Sequence, residues 1–160
     1  MRRNWYVLHV VTGSELEVQR RLKMEGIESF VIQETALIRR GGRWHEEARV
    51  WFPGYVFVFI VLNARMHYQL KGVPCTIRLL PKDDPVPLSP KDCARLPWCG
   101  GEILSPSTVD FSSGEPVVVE GPLLSMRDYI VKYDRHRRKV LLRVPVFDEH
   151  KDVTLSILPV

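Results

Sequence analysis

The sequence predicts an α+β module with a mixed or antiparallel sheet over residues 1–98, a linker over residues 99–111, and a small all-β barrel over residues 112–160. Three observations predict this. In the first part, apolar strand-like runs alternate with helix-start signals. Between Trp98 and Ser113 the periodicity disappears, and Gly100, Gly101, Pro106 and several Ser and Thr residues take over. Beyond that point only short β-like runs separated by turn residues remain, the pattern of a small barrel.

Residues 5–11 (WYVLHVV) have the β-branched and aromatic composition of a buried strand. Gly13 ends it, and Ser14 with Glu17 three residues on fits a helix capping box. Val18, Leu22 and Met24 form an apolar stripe along the helix, which Gly26 stops. Phe30, Val31 and Ile32 read as a second strand. Residues 37–44 read as a hairpin whose Gly41-Gly42 tip is flanked by Arg39, Arg40 and Arg43, with Arg49 nearby.

Residues 50–62 (VWFPGYVFVFIVL) are the most apolar stretch, too short for a membrane span and interrupted by Pro53 and Gly54. A strand after Gly54 places Tyr55, Phe57 and Phe59 on one face and Val56, Val58 and Ile60 on the other. Asn63 can cap a helix running to Lys71, and residues 75–80 (CTIRLL) read as a strand. Residues 81–90 are loop, and Pro90 suits the first position of a short helix over 90–96. In the last part, strand-like runs lie at 117–120, 129–133, 139–144 and 153–158, with turns at Gly121-Pro122 and 134–137.

The chain has 160 residues, 45% apolar and 26% charged, the composition of a soluble globular protein. Its net charge of +4 tolerates a polyanionic partner without requiring one. Cys75, Cys93 and Cys99 are odd in number and lack metal or disulfide spacing, which suits a reducing cytoplasm. Cys75, following Pro74 in a strand, is expected to be a buried structural thiol. No signal peptide and no membrane association are expected. His45-Glu46-Glu47 lacks the second histidine of a helical zinc motif, and Asp83-Asp84 sits in a proline-flanked loop. No nucleophile elbow, phosphate loop or dinucleotide fingerprint occurs, so no catalytic residue, metal or cofactor is expected and the chain does not read as an enzyme.

Three stretches carry a family resemblance. WYVL at 5–8 followed by Gly13-x-Glu15 resembles the first strand and helix start of the NusG N-terminal (NGN) domain. FPGYVFV at 52–58 resembles that domain's signature strand. Gly114-Glu115-x-Val117-x-Val119-x-Gly121-Pro122 resembles the opening of a KOW domain. Their order and spacing agree over nearly the whole chain, which is similar to NusG-family transcription elongation factors. The chain departs from the housekeeping pattern where Ser125 and Asp128 replace glycines and where residues 132–139 (KYDRHRRK) are unusually basic. These departures resemble specialised members of the RfaH and LoaP kind, LoaP the nearer.

The resemblance implies an elongation and antitermination factor, monomeric and cytoplasmic. It implies that Trp5, His9, Phe52, Tyr55, Phe57 and Phe59 contact the clamp helices of RNA polymerase. Arg65 and His67, at the start of the second helix, would face the polymerase gate loop. Ordinary core packing competes for the aromatic residues, and capping and solvation compete for the helix. The hairpin arginines Arg39, Arg40 and Arg43 would lie toward upstream DNA. Lys132, Arg135, His136, Arg137, Arg138, Lys139 and Arg143 form a cationic stripe suited to a nascent RNA hairpin. A solvated charged surface is the competing account of both. Rho or the ribosome are alternative KOW partners if the factor is housekeeping, and an RNA-binding KOW protein of translation is a further alternative.

Overall fold

A computed structural model of the chain describes residues 2–95, 103–147 and 149–160. The chain divides into two units, Met1–Ile32 with Phe52–Gly101, and Gln33–Trp51 with Glu102–Val160.

The first unit is built on a four-stranded sheet in the order β2-β5-β1-β6, with β1 Asn4–Val10, β2 Glu28–Phe30, β5 Tyr55–Ile60 and β6 Thr76–Leu80. All its pairings are antiparallel. The two most apolar runs of the sequence become the two central strands, β1 and β5. Val7, Leu8, Val10, Val56, Phe57 and Val58 are accordingly buried. Helix α1 (Glu15–Met24) buries Val18 and Leu22. Met24, expected on that apolar stripe, is 74% exposed, so the buried stripe ends at Leu22. Helix α2 (Ala64–Lys71) begins as expected at Asn63, whose Oδ1 accepts from the Met66 N–H at 2.8 Å. Helix α3 spans Pro90–Arg95.

Two local expectations are corrected here. Ser14 makes no side-chain cap, because its hydroxyl donates back to the Val11 carbonyl, and Glu17 pairs with Arg20 and Arg21 instead. Cys75 is exposed rather than buried, at φ 69 in the turn before β6. Its carbonyl accepts from the Val11 N–H at 2.9 Å while its side chain faces out.

The second unit contains the hairpin β3 (Gln33–Arg40) and β4 (Arg43–Val50) together with a five-stranded sheet. That sheet runs β8-β7-β11-β10-β9, with β7 Ser107–Asp110, β8 Val117–Glu120, β9 Ile130–Asp134, β10 Lys139–Val146 and β11 Glu149–Pro159. β7 pairs with β11 in parallel, and the other pairings are antiparallel. Gly41 and Gly42 have φ of 59° and 77°, the left-handed pair a two-residue hairpin turn needs. Where a simple turn was expected after Gly121, a 3-10 segment kinked at Met126 covers Pro122–Tyr129 and buries Leu123 and Met126. Along β10, Val140, Leu142 and Val144 are buried while Arg143 is exposed, the alternation expected of a one-sided strand.

The units divide the chain differently from the sequence-based boundaries. The hairpin belongs with residues 102–160, and part of the expected linker is the strand β7. The Thr35 N–H donates to the Leu104 carbonyl, and the Leu104 N–H to that of Gln33, each at 2.8 Å. The Leu37 N–H donates to the Ser156 hydroxyl at 2.9 Å. Such tertiary pairing cannot be read from local pattern. Cys99, Gly100, Gly101 and Glu102 of the expected linker lie outside the described residues.

Candidate partner surfaces

The turn that launches β5 is fixed by Glu15. Its side chain is buried, with Oε1 accepting from the Gly13 N–H at 2.8 Å and Oε2 from the Gly54 N–H at 2.7 Å. The Gly54 carbonyl accepts from the Val10 N–H at 2.9 Å. One carboxylate thus ties the start of α1 to the Pro53-Gly54 turn, and Gly54 adopts φ 84° to meet it. The motif positions were visible in the sequence, but this clamp was not, since it joins residues 39 apart.

From this anchor β1 and β5 run side by side, with Trp5 opposite Phe59, Val7 opposite Phe57 and His9 opposite Tyr55. Directly opposed residues project from the same face. Trp5 and Phe59 lie 5.0 Å apart by ring centroids, and His9 meets Tyr55 edge-on at 6.3 Å. All four rings are partly exposed. Phe57 and Phe52, named as candidate contacts, are both 0% exposed, and this corrects the expectation. Phe52 meets Phe57 edge-on at 6.4 Å and stacks on Tyr55 at 5.6 Å, so both rings belong to the core beneath the rim.

Arg65 and His67 are not brought together. Arg65 is exposed and lines a cleft of about 460 Å³ with Arg3, Glu28 and Gln69. His67 lines a separate cleft of about 400 Å³ with Thr76, Arg78 and Asp83. Two positions apart on a helix, they point to different sides.

The second unit gathers cations. A cleft of about 350 Å³ is lined by Arg39, Trp44 and Arg49 of the hairpin and by His136, Arg137 and Lys139 of the sheet. An adjoining hollow of about 550 Å³ shares Arg39, Trp44 and His136 and adds Arg135, Arg138 and Pro159. The Arg138 guanidinium lies 4.5 Å from the Trp44 ring centroid and that of Arg39 lies 6.0 Å from it. Arg135 lies over Phe111 at 5.3 Å.

Other predicted cations are partly neutralised: Arg40 pairs with Glu47 at 3.1 Å, Arg137 with Asp134 at 3.9 Å and Arg143 with Asp152 at 2.9 Å. The Arg143 hydrogen bond holds the Asp152 carboxyl below its usual range. Arg43 and Lys132 are exposed and line neither cleft.

Glu34 lies in the wall of the first cleft and is only 3% exposed. Burial pushes its carboxyl up to about 7, opposed by Arg49 at 3.6 Å and by the Ser156 backbone N–H. Its Oε2 has no hydrogen-bond partner among the described residues. Sequence reasoning missed Glu34 and Trp44. The Trp44 position was recoverable, because a two-residue Gly41-Gly42 turn sets Trp44 opposite Arg39. Among the described residues no group of His, Cys, Asp or Glu side chains could hold a metal ion, and no helix is long and apolar enough to cross a membrane.

The family model described as "Transcription termination factor nusG" matches residues 3–97, more than half of the chain. The chain is 26% identical to the transcription termination/antitermination protein NusG of Pseudomonas aeruginosa, over 98% of this chain and 96% of that one. It is 28% identical to the NusG of Escherichia coli K12, over 97% and 93% respectively. Among solved structures, that of Thermotoga maritima NusG is similar in fold, with a TM-score of 0.55 and 23% identity over 98% of this chain and 95% of that one.

Proposed function

Because the chain belongs to the NusG family, we propose that it is a transcription elongation and antitermination factor that holds RNA polymerase through its first unit and nascent RNA through its second. The supporting observation is the rim of Trp5, His9, Tyr55 and Phe59, four partly exposed rings on one face of the two central strands. Partly exposed aromatic residues on a rigid sheet are the usual anchors of a protein interface. The rim is proposed to seat the clamp helices of the polymerase, with Arg65 and His67 toward the gate loop. Affinity for the closed, non-paused state is then all the activity requires. A tenfold preference for that state shifts the equilibrium by about 1.4 kcal/mol.

In the second unit, the five-stranded sheet is proposed to be a KOW barrel, and its basic turn Arg135, His136, Arg137, Arg138 and Lys139 to take a nascent RNA hairpin. The basic character of this turn supports a specialised factor of the LoaP or RfaH kind over a housekeeping one acting with Rho or the ribosome.

Capture by an immobilised clamp-helix fragment tests the polymerase contact. Tyr55→Ala should lower capture by about tenfold, since Tyr55 sits on the rim and its loss removes an interface anchor. Equal capture of wild type and variant would refute the assignment.

A further inference from the structure

The hairpin and the barrel turn each carry cations, and the sequence suggests separate tasks for them, DNA for one and RNA for the other. Their geometry points elsewhere. Arg39 comes from the hairpin and Arg138 from the turn between β9 and β10, yet both guanidiniums gather at the single indole of Trp44, at 6.0 and 4.5 Å. His136 lines both hollows and Lys139 the smaller one. Arg39, Arg138 and Lys139 have no acidic side chain within ion-pair distance among the described residues. Collecting like charges around one ring, without acids between them, opposes folding unless a polyanion completes the site. The carboxylate in the cleft wall, Glu34, is buried and pushed up to about 7, so near neutrality it opposes the cations only in part.

We propose that the hairpin and the β9–β10 turn form one cradle for the unpaired strand of a nascent RNA hairpin, its loop or tail, with Trp44 holding the Arg39 and Arg138 guanidiniums against successive phosphates. The inference rests on the RNA-binding reading of the second unit and deepens it, because it makes the hairpin part of the RNA site. Two adjoining hollows of about 350 and 550 Å³ suit splayed nucleotides better than the smooth wall of a duplex. Thr154 lines the smaller hollow, and a threonine hydroxyl there would be a partner for a ribose 2′-OH, which favours RNA over DNA.

The test uses the full chain, a fluorescent RNA hairpin with a single-stranded tail, and DNA of the same sequence, titrated across a range of salt. Arg39→Gln and Arg138→Gln should each weaken RNA binding by about fivefold and reduce the log–log salt slope by about 0.7. Their double variant should lose less than the product of the two, because both act at one ring. Trp44→Phe, which keeps an aromatic face, should weaken RNA binding less than Trp44→Ala. If Arg138→Gln weakens binding and Arg39→Gln changes neither affinity nor slope, the shared cradle is wrong while the RNA role of the barrel turn stands. If the wild-type chain binds no RNA, both fail. Equal affinity for the DNA overturns the choice of RNA.

Discussion

Glu15 and Glu34 are both buried carboxylates, and they differ in what surrounds them. Glu15 accepts two backbone N–H groups. Glu34 has one oxygen with no hydrogen-bond partner among the described residues, and burial raises it from 4.5 to about 7. Below the lower value Glu34 is protonated whether the chain is folded or not. Between the two values the folded state keeps a proton that the unfolded chain has released, so stability falls as pH rises through this window. The total loss is roughly 3 kcal/mol, complete above about pH 7. Glu34→Gln should flatten this part of the profile and raise stability on its alkaline side, as read from urea midpoints at several pH values. A Gln variant with the wild-type pH dependence would assign the effect to another group. Neither environment was legible in the sequence, where Glu15 was one letter of a motif and Glu34 went unremarked. Burial and partners decide a carboxylate's role, and both are tertiary facts. Phe57 teaches the same lesson. Alternation placed it correctly on the face of Tyr55 and Phe59, but alternation cannot tell the covered middle of a face from its rim.

At the scale of elements, local chemistry was a better guide. The Asn63 cap, the Gly41-Gly42 turn and the strand after Gly54 form where the residues indicated, because each depends on neighbours in the chain. The kinked 3-10 segment Pro122–Tyr129 was read only as a turn, although it carries two apolar residues, Leu123 and Met126, that are both buried. Its start depends on Gly121, with φ 106°, against Ser107 of β7. A Cβ there would lie 2.6 Å from the Ser107 hydroxyl and 2.7 Å from its Cα, a backbone atom that cannot yield. The same hydroxyl accepts from the Leu123 N–H at 3.0 Å. Gly121→Ala should therefore destabilise the protein by about 2–4 kcal/mol. Gly42→Ala, at a left-handed position in open space, should cost only about 1 kcal/mol. Thermal melts of the two variants compare the costs, and equal losses would show that strain at φ, not the approach to Ser107, governs both.

At the scale of the whole chain, the two compact units are not contiguous in sequence. A linear reading assigned residues 33–51 to the module that surrounds them in sequence, whereas they pack with residues 102–160. The links are backbone and side-chain hydrogen bonds to Leu104 and Ser156, which leave no periodic signature. A chain ending at Arg95 should accordingly lose amide protection in β3 while β1 and β5 keep theirs. Hydrogen exchange read by mass spectrometry distinguishes this from uniform protection, which would place the hairpin with the first unit.

That discontinuity has a consequence for how the protein is made. The hairpin leaves the ribosome before residues 52–101 and then waits for the strands it will pack with. At ordinary translation speeds the wait is on the order of seconds. A young hairpin with a bare edge could recruit strands from neighbouring nascent chains. β4 reads RWHEEARV and is exposed along most of its length, with charges of both signs that discourage such pairing. Its polarity thus equips the segment for the interval between its own birth and the arrival of its permanent neighbours.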